Sequence, residues 1–322
     1  MGNRTIVASA PHIHGHLSTT RLMGDVIIAL LPALAVSVYV YGWGVLGITA
    51  MSIGCCVLFE FLIQKFLMKG KQTITNLSAV VTGLLLAMNL PATIPLWIVA
   101  VGALVAIGVA KMPFGGLGKN PFNPAIVARV FLLIAYPVQM TQSKSFAIDA
   151  SSGATPLATV GESLEKGLGF DYNAWDMFSG NVEGSLGEVA TLALLLGGVY
   201  LLLRRVITWH IPVSVLGTMA AFAAIYGFAT FGTTELASSF TLFHLLAGGA
   251  VLGAVFMATD YVTSPMTTKG MVIYGIGIGA ITMIIRLWGA YPEGMSFAIL
   301  IMNSVVPLIN KYVKPRRFGS KK

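Results

Sequence analysis

Long apolar blocks separated by short polar connections are the dominant pattern of the chain. A helix needs about 20 apolar residues to cross about 30 Å of hydrocarbon, and blocks of roughly this length recur ten times. They lie at approximately 22–40, 43–67, 74–90, 94–111, 124–140, 187–203, 211–230, 241–258, 271–288 and 294–311. The pattern predicts an all-α integral membrane protein with about ten transmembrane helices, forming one polytopic membrane domain over 1–322.

The longest polar interval, residues 141–186, divides the blocks into two sets of five. The first half spans 22–140 and the second spans 187–311, flanked by an N-terminal segment at 1–21 and a basic tail at 312–322. Because five is odd, two halves of the same fold would have opposite orientations, as in transporters built from inverted repeats. The inverted repeat stays a hypothesis, since the two halves share little sequence similarity.

Composition and the distribution of charge support the membrane interpretation. The chain is 56% hydrophobic and 10% charged, whereas soluble domains carry about 25% charged residues. Its net charge of +8 is concentrated in the N-terminal segment, the tail and the even-numbered connections, to which we assign Arg129. Acidic residues, including Glu188 and Glu293, fall mainly on the other side. This asymmetry predicts that both termini are cytoplasmic and 141–186 is periplasmic or extracytoplasmic, and it argues against a nucleic-acid partner.

The sequence contains no catalytic set of the usual kinds, and we predict no metal site. The two cysteines, Cys55 and Cys56, are adjacent within an apolar block and cannot form a disulfide framework. Three histidines alternate in the N-terminal segment, at His12, His14 and His16. A metal site there is the weaker alternative to solvated or structural histidines, because no cysteine or carboxylate lies beside them.

Two polar side chains within or beside the apolar blocks are of interest. Glu60 lies inside the second block, where a charge is costly and often functional. A role in ion or proton movement, an ion pair and a water-filled crevice all remain open for Glu60. We interpret His244, at the edge of the eighth block, as an interfacial residue.

Two polar connections on the predicted cytoplasmic face have unusual composition. Residues 111–125 contain the pairs Asn120-Pro121 and Asn123-Pro124, and residues 259–270 form the second connection. An Asn-Pro pair ends an extended segment and can start a helix, and an asparagine amide can hydrogen-bond the edge of a flat heterocycle. Tightly capped or re-entrant turns are the alternative. That both connections fall on one face favours a site between them.

The segment Asp149–Thr155, within the long polar interval, has the sequence Asp-Ala-Ser-Ser-Gly-Ala-Thr. Its composition is typical of an exposed loop, and a site of covalent attachment is the other interpretation. Four further stretches accompany it: Ala10–His14, Asp25–Pro32, Gly118–Ala125 and Tyr291–Ala298.

Together these stretches resemble the family that contains the D subunit of the bacterial Rnf complex and the B subunit of the sodium-pumping NADH:quinone reductase. The lack of the longer N-terminal extension expected of the reductase subunit favours the Rnf branch, and the reductase subunit remains an alternative. The resemblance implies a membrane subunit of an ion-translocating ferredoxin:NAD oxidoreductase in the bacterial inner membrane. Its partners would be subunits of the A, B, C, E and G types and membrane lipid, and the chain alone would hold no complete active site.

The resemblance also implies two flavins. Asp149–Thr155 matches the pattern recognised by the family's flavin transferase, which implies FMN joined to the Thr155 hydroxyl through a phosphoester. Riboflavin, held without a covalent bond, would lie deeper in the membrane part, and Asn120 and Asn123 are our candidates near it. The flavins would relay electrons while Na+ or H+ is translocated. A secondary transporter with an inverted repeat is the rival function, but it would not need the attachment motif.

Overall fold

The computed structural model describes residues 18–69, 72–141, 143–144, 152–153, 157, 177–178, 184–289, 291 and 293–314. Within these ranges the chain is helical apart from one two-residue strand pair and several non-helical connections. The predicted attachment residue Thr155 lies outside the described residues, as do the three N-terminal histidines.

The helices of the first half follow the predicted apolar blocks. They are α1 (Thr19–Tyr41), α2 (Gly44–Leu62) continued by a π-helical turn (Ile63–Met68), a 3-10 turn (Ile74–Asn76), α3 (Ser78–Met88), α4 (Leu96–Leu104) continued by a π-helical turn (Val105–Val109), α5 (Pro124–Ala135) and α6 (Pro137–Thr141). Two short strands follow, β1 (Ser143–Lys144) and β2 (Ser152–Gly153). They pair antiparallel, with Ser143 opposite Gly153.

The helices of the second half also coincide with apolar blocks, except that one helix begins at Thr234, before the eighth block at 241–258. They are α7 (Thr191–Leu203), α8 (His210–Phe231), α9 (Thr234–Leu246), α10 (Ala250–Leu252) continued by a π-helical turn (Gly253–Met257), α11 (Thr268–Trp288) and α12 (Met295–Tyr312). Gly248 and Gly249 separate α9 from α10, both with positive φ, a conformation that glycine adopts without steric cost.

Five helices of the described chain are long and apolar enough to cross a membrane: α1, α2 with its π-helical turn, α8, α11 and α12. The pair formed by α9 and the α10 segment makes a sixth if its 59° bend is counted within one span. A membrane protein is therefore confirmed, whereas ten full-length spans are not.

Several helices are shorter than their apolar blocks. Helix α3 has 11 residues, which is about 16 Å at 1.5 Å per residue and roughly half of the hydrocarbon thickness. Leu90 and Ile94 follow it in the break before α4 and are buried although they are not helical. An apolar block here includes buried residues that are not helical as well as helical ones. The length of the block therefore overestimates the length of the helix.

Close helix packing joins the two halves and the helices within them. Helix α1 packs along α7, where a Cβ on Gly197 would collide with the Ala29 carbonyl oxygen. Helix α8 packs along α11 in the same way, since a Cβ on Gly279 would lie 2.7 Å from the Val215 carbonyl oxygen. Small residues allow this backbone approach in membranes.

A buried non-helical segment, residues 184–190, leads into α7. Its amides at Leu186 and Gly187 donate to the carbonyl oxygens of Leu90 (3.0 Å) and Met88 (2.7 Å), and the Leu186 carbonyl accepts from the Ser37 hydroxyl (2.6 Å). Non-helical backbone is tolerated at membrane depth only where protein satisfies its polar groups. The segment therefore ties the start of the second half to α1 and α3 of the first.

Candidate functional site

The two polar connections singled out in the sequence meet at one cavity. We call residues 110–123 the Asn-Pro loop and residues 258–267 the Asp260 loop. Both line the cavity, together with side chains of α1, α3 and α7, and its volume is about 90 Å3. Pockets for small molecules and cofactors have volumes of about 300–1,000 Å3. An organic ligand would therefore require the lining side chains to move apart.

The lining combines apolar walls with a few polar groups. The walls include Val26, Leu85 and Phe256, and the polar side chains are Ser78, Thr82, Lys111, Asn120, Asn123, Thr259 and Asp260. An apolar cavity with few convergent polar groups is the usual form of a cofactor site.

Asn123 is placed at the cavity by its role as the N-cap of α5. Its Oδ1 accepts from the Ala125 amide (3.1 Å), and its Nδ2 donates to the Met257 carbonyl oxygen (3.2 Å). Pro124 occupies the first turn of the helix, where its missing amide hydrogen costs nothing. The predicted helix start is thus confirmed, and both polar atoms of the Asn123 side chain are occupied by protein.

Asn120 also lines the cavity, as a buried residue of the Asn-Pro loop. Its Nδ2 donates to the Phe122 carbonyl oxygen (2.9 Å), which fixes the turn between the two prolines. Its Oδ1 accepts no hydrogen bond from the part of the chain that the structure describes. Of the two asparagines, Asn120 therefore has the side-chain atom that a ligand could engage.

Lys111 brings a positive charge to the cavity wall. Its Nζ lies 2.6 Å from Glu60 Oε2 and 2.7 Å from the Ser78 hydroxyl, and the lysine and glutamate side chains are only 2% and 1% exposed. Glu60 Oε1 accepts longer hydrogen bonds from Gln64 (3.3 Å) and Thr73 (3.4 Å). Of the interpretations left open for Glu60, the structure shows the ion pair. Its partner lies 51 residues away, and no sequence pattern joined the two.

Asp260 contributes a carboxylate on the facing wall. Burial raises the pKa of Asp260, and this is opposed by the Thr263 hydroxyl, which donates to Oδ2 (3.1 Å), by the Val262 backbone and by the charge of Lys111. The neighbouring Tyr261 hydroxyl donates to the Val206 carbonyl oxygen. The Asp260 loop is thereby attached to the chain that follows α7.

A second polar cluster lies farther along α5. The Arg129 guanidinium pairs with Glu293, lies 3.8 Å from Glu188 and donates to Asn89 Oδ1 (2.6 Å). The assignment of Arg129 to the cytoplasmic charges was therefore wrong, since it sits buried with two carboxylates assigned to the other face. An arginine in the sixth position of a helix lies well beyond the first turn, and the count of charges per connection ignored that depth.

Arg286 caps the C-terminal end of α9 near the same cluster. It donates to the carbonyl oxygens of His244 (2.6 Å) and Ala247 (2.8 Å), satisfying groups that have no partner within the helix. The interfacial interpretation of His244 was wrong, because its ring is buried against Phe240 and Phe243. Its position at the edge of an apolar block did not reveal that α9 ends inside the protein.

Comparison with known proteins gives matches over nearly the whole chain. The D subunit of the Na(+)-translocating ferredoxin:NAD(+) oxidoreductase complex of Acetobacterium woodii is 47% identical over 317 residues, covering 97% of this chain and 95% of the relative. The D subunit of the proton-translocating complex of Clostridium ljungdahlii is 42% identical, covering 98% and 96%. The D subunit of the ion-translocating oxidoreductase complex of Vibrio atlanticus is 38% identical, covering 97% and 99%.

A family model gives the same result independently of any single relative. The model described as the NQR2, RnfD, RnfE family matches residues 6–319. This range includes both loops of the cavity, the Glu60–Lys111 pair and the segment Asp149–Thr155. The chain belongs to the NQR2, RnfD, RnfE family.

Proposed function

We propose that this chain is the D-type membrane subunit of an ion-translocating ferredoxin:NAD oxidoreductase complex, in which it relays electrons. The observation that carries the proposal is the end-to-end match with subunits of that name, at 47% and 42% identity. The chain would act with partner subunits of the A, B, C, E and G types, which would supply the ferredoxin and NAD sites. The names of these two relatives differ in the ion, Na+ or H+, so the proposal leaves the ion open.

We place the subunit in the bacterial inner membrane, with both termini cytoplasmic and residues 141–186 on the outer side. The distribution of lysine and arginine supports this orientation, even without Arg129. We also propose that the two halves are inverted repeats. Single cysteines introduced at Lys144 and at Lys314, tested with a membrane-impermeant thiol reagent in a background without Cys55 and Cys56, should be labelled from opposite sides. Labelling from one side would contradict both the orientation and an odd number of crossings between them.

We also propose that the cavity is the site of a non-covalent flavin such as riboflavin. Its walls would hold the flat ring system, Lys111 would face electron-rich ring atoms, and the Asn120 carbonyl would accept from a ring N–H. Bound flavin would supply the one- and two-electron chemistry, while the protein supplies position and electrostatics. Asn123 would act through the loop geometry, since its own side-chain atoms are occupied.

This assignment can be tested by extracting non-covalent flavin from the purified complex with acid. Wild type should release riboflavin, and Asn120→Ala should release less because one hydrogen bond to the ring is lost. Asn76→Ala provides a matched control, since Asn76 bonds only the Ser78 amide among the described residues and does not line the cavity. Absence of riboflavin from wild type would contradict the assignment.

Covalent FMN at Thr155 is the second part of the proposal, and the sequence Asp149–Thr155 is its support. Leu157, a described residue two positions after Thr155, is buried in a small cluster with Met177, Phe243 and Ala247. A flavin attached to Thr155 would be held on the protein rather than free to diffuse.

The covalent bond has a direct test. Co-expression with the flavin transferase should give a denatured band with flavin fluorescence and an intact mass increased by FMN minus water. Thr155→Ala should abolish both, whereas Thr159→Ala should leave both unchanged because no Gly-Ala precedes Thr159. Fluorescence that persists in Thr155→Ala would refute the assignment.

A further inference from the structure

Asn303, in the middle of α12, contacts both walls of the cavity without lining it. Its side chain is buried, at 2% exposure. In the orientation that satisfies its neighbours, Oδ1 accepts from the backbone amide of Asn123 (3.3 Å), and Nδ2 lies 3.2 Å from the Thr263 carbonyl oxygen. One amide group thus bonds the backbone of the Asn-Pro loop and the backbone of the Asp260 loop.

The orientation of the Asn303 amide follows from its surroundings. With Nδ2 and Oδ1 exchanged, the oxygen would accept from the Tyr274 hydroxyl but would also face the carbonyl oxygens of Ile299 and Thr263, and the nitrogen would face the Asn123 amide, which is a donor. Nδ2 also lies 2.6 Å from the hydroxyl of Tyr274, a fully buried residue of α11, and 3.2 Å from the Ile299 carbonyl oxygen. A buried amide can satisfy its donors and acceptor only where such partners exist. Helices α11 and α12 therefore fix the group that bridges the loops.

The bridged atoms are adjacent to the lining of the cavity. Asn123 lines it directly, and Thr263 holds the carboxylate of the lining residue Asp260 through its hydroxyl. The side chain of Asn123 adds a second bond between the walls, to the Met257 carbonyl oxygen. A change at Asn303 would therefore move both walls, although the side chain itself would not touch a ligand.

We propose that Asn303 is a positioning residue that sets the distance between the two loops and thereby the affinity of the cavity for its flavin. The part that concerns flavin rests on the proposed function. The part that concerns the loops does not, because it can be measured without any ligand. Tyr274 supports the same contact by fixing the Asn303 amide.

Hydrogen exchange measured by mass spectrometry on the purified complex tests the loops. Asn303→Leu removes the acceptor and the donor, so amides of both the Asn-Pro loop and the Asp260 loop should exchange about tenfold faster, as expected when one buried hydrogen bond is lost. Asn303→Asp keeps an acceptor for the Asn123 amide but loses the donor to Thr263. It should accelerate the Asp260 loop and leave peptides covering 120–125 close to wild type.

Asn310→Leu is the matched control, because Asn310 lies on the same helix and accepts from the Met266 amide of the Asp260 loop (3.2 Å) at an exposed site. It should change exchange only near Met266. If Asn303→Leu and Asn310→Leu give the same pattern, or if Asn303→Asp loosens both loops equally, Asn303 is a general packing residue and the proposal fails. Such results would stand whether or not the complex contains riboflavin.

Flavin binding gives the second measurement. Riboflavin titrated into flavin-depleted complex should bind about tenfold more weakly to Asn303→Leu than to wild type or Asn310→Leu, the loss expected for about one hydrogen bond. Faster exchange with unchanged affinity would show that the loop distance does not set affinity. Failure of wild type to bind riboflavin would refute the proposed ligand and leave the exchange result as the test of the positioning role.

Discussion

Replacement of Lys111 by methionine should destabilise the protein strongly, because it leaves the Glu60 carboxylate buried without its cation. The two side chains are 2% and 1% exposed, with 2.6 Å between Nζ and Oε2. After the substitution, the hydrogen bonds that Glu60 retains from the described residues are those of Gln64 (3.3 Å) and Thr73 (3.4 Å), both on Oε1. Breaking a buried pair by removing one partner costs about 3–5 kcal/mol, and we expect a loss of that size.

The double variant Glu60→Met with Lys111→Met separates the effect of the two charges on stability from the effect of filling the space that the side chains occupy. With both charges removed, two apolar side chains of similar length occupy the site, and such replacements of buried ion pairs are often neutral or stabilising. Gln64 and Thr73 keep their bonds to each other, at 2.6 and 2.9 Å. The double variant should therefore lie within about 1–2 kcal/mol of wild type, far less destabilised than the sum of the two single variants.

The measurement is the free energy of unfolding in mixed micelles, followed by SDS titration of wild type, both single variants and the double variant. A Lys111→Met variant within about 1 kcal/mol of wild type would refute the reasoning, because an exposed pair would behave in that way. A double variant less stable than either single variant would also refute it. In that case the charges would stabilise the fold beyond their mutual attraction.

Three further substitutions test other features. Arg129→Gln should lower the free energy of unfolding by about 3–5 kcal/mol, because two buried carboxylates lose their cation. The Arg204 side chain is 40% exposed, so Arg204→Gln should lower it by only about 0–1 kcal/mol. SDS titration measures both values. Gly197→Ala should destabilise the protein by about 1–3 kcal/mol, because the added methyl group overpacks against α1. At Gly217 an added Cβ meets no atom within 4 Å, so Gly217→Ala should be neutral or stabilising by up to about 1 kcal/mol. The two variants should therefore unfold at clearly different SDS fractions. Asp260→Asn should become increasingly more stable than wild type as pH rises above 3.8. Folding raises the pKa of the Asp260 carboxyl, so wild type loses stability as this proton leaves, whereas the asparagine variant has no proton to lose. A stability difference that does not change with pH between about 4 and 7 would contradict this prediction.

The sequence predicted where helices occur better than how far they extend. Apolar blocks located most helices of the described membrane part, although α9 begins at Thr234, before the eighth block. The pair Asn123-Pro124 predicted the start of α5 at the observed residue. The same blocks did not show that α3 ends at Met88, because the buried residues that follow are as apolar as the helix. A break in a helix leaves hydropathy unchanged when protein, rather than lipid, surrounds the broken backbone.

Only part of the candidate site could be predicted from the sequence, because some of its contacts join residues that are far apart along the chain. The Asn-Pro loop and the Asp260 loop have visible turn residues, and the prediction of a site between them agrees with the cavity that both loops line. Lys111 and Asn303 became important only through contacts with Glu60 and Asn123, which lie 51 and 180 positions away along the chain. Buried polar partners of this kind have no local pattern, so their pairing depends on the tertiary structure.

The packing of α1 against α7 has a consequence for biosynthesis. Asp25 in α1 accepts from Tyr200 and pairs with Arg204, 175 and 179 residues later in the chain. At a synthesis rate of about 5–20 residues per second, the first helix waits about 9–35 s for these partners. During that interval the Asp25 carboxylate lacks both of these partners, and the Ser37 hydroxyl can donate to the Ala33 carbonyl oxygen of its own helix but not yet to that of Leu186. The contacts that hold α1 in the folded subunit are therefore completed only after α7 has been made.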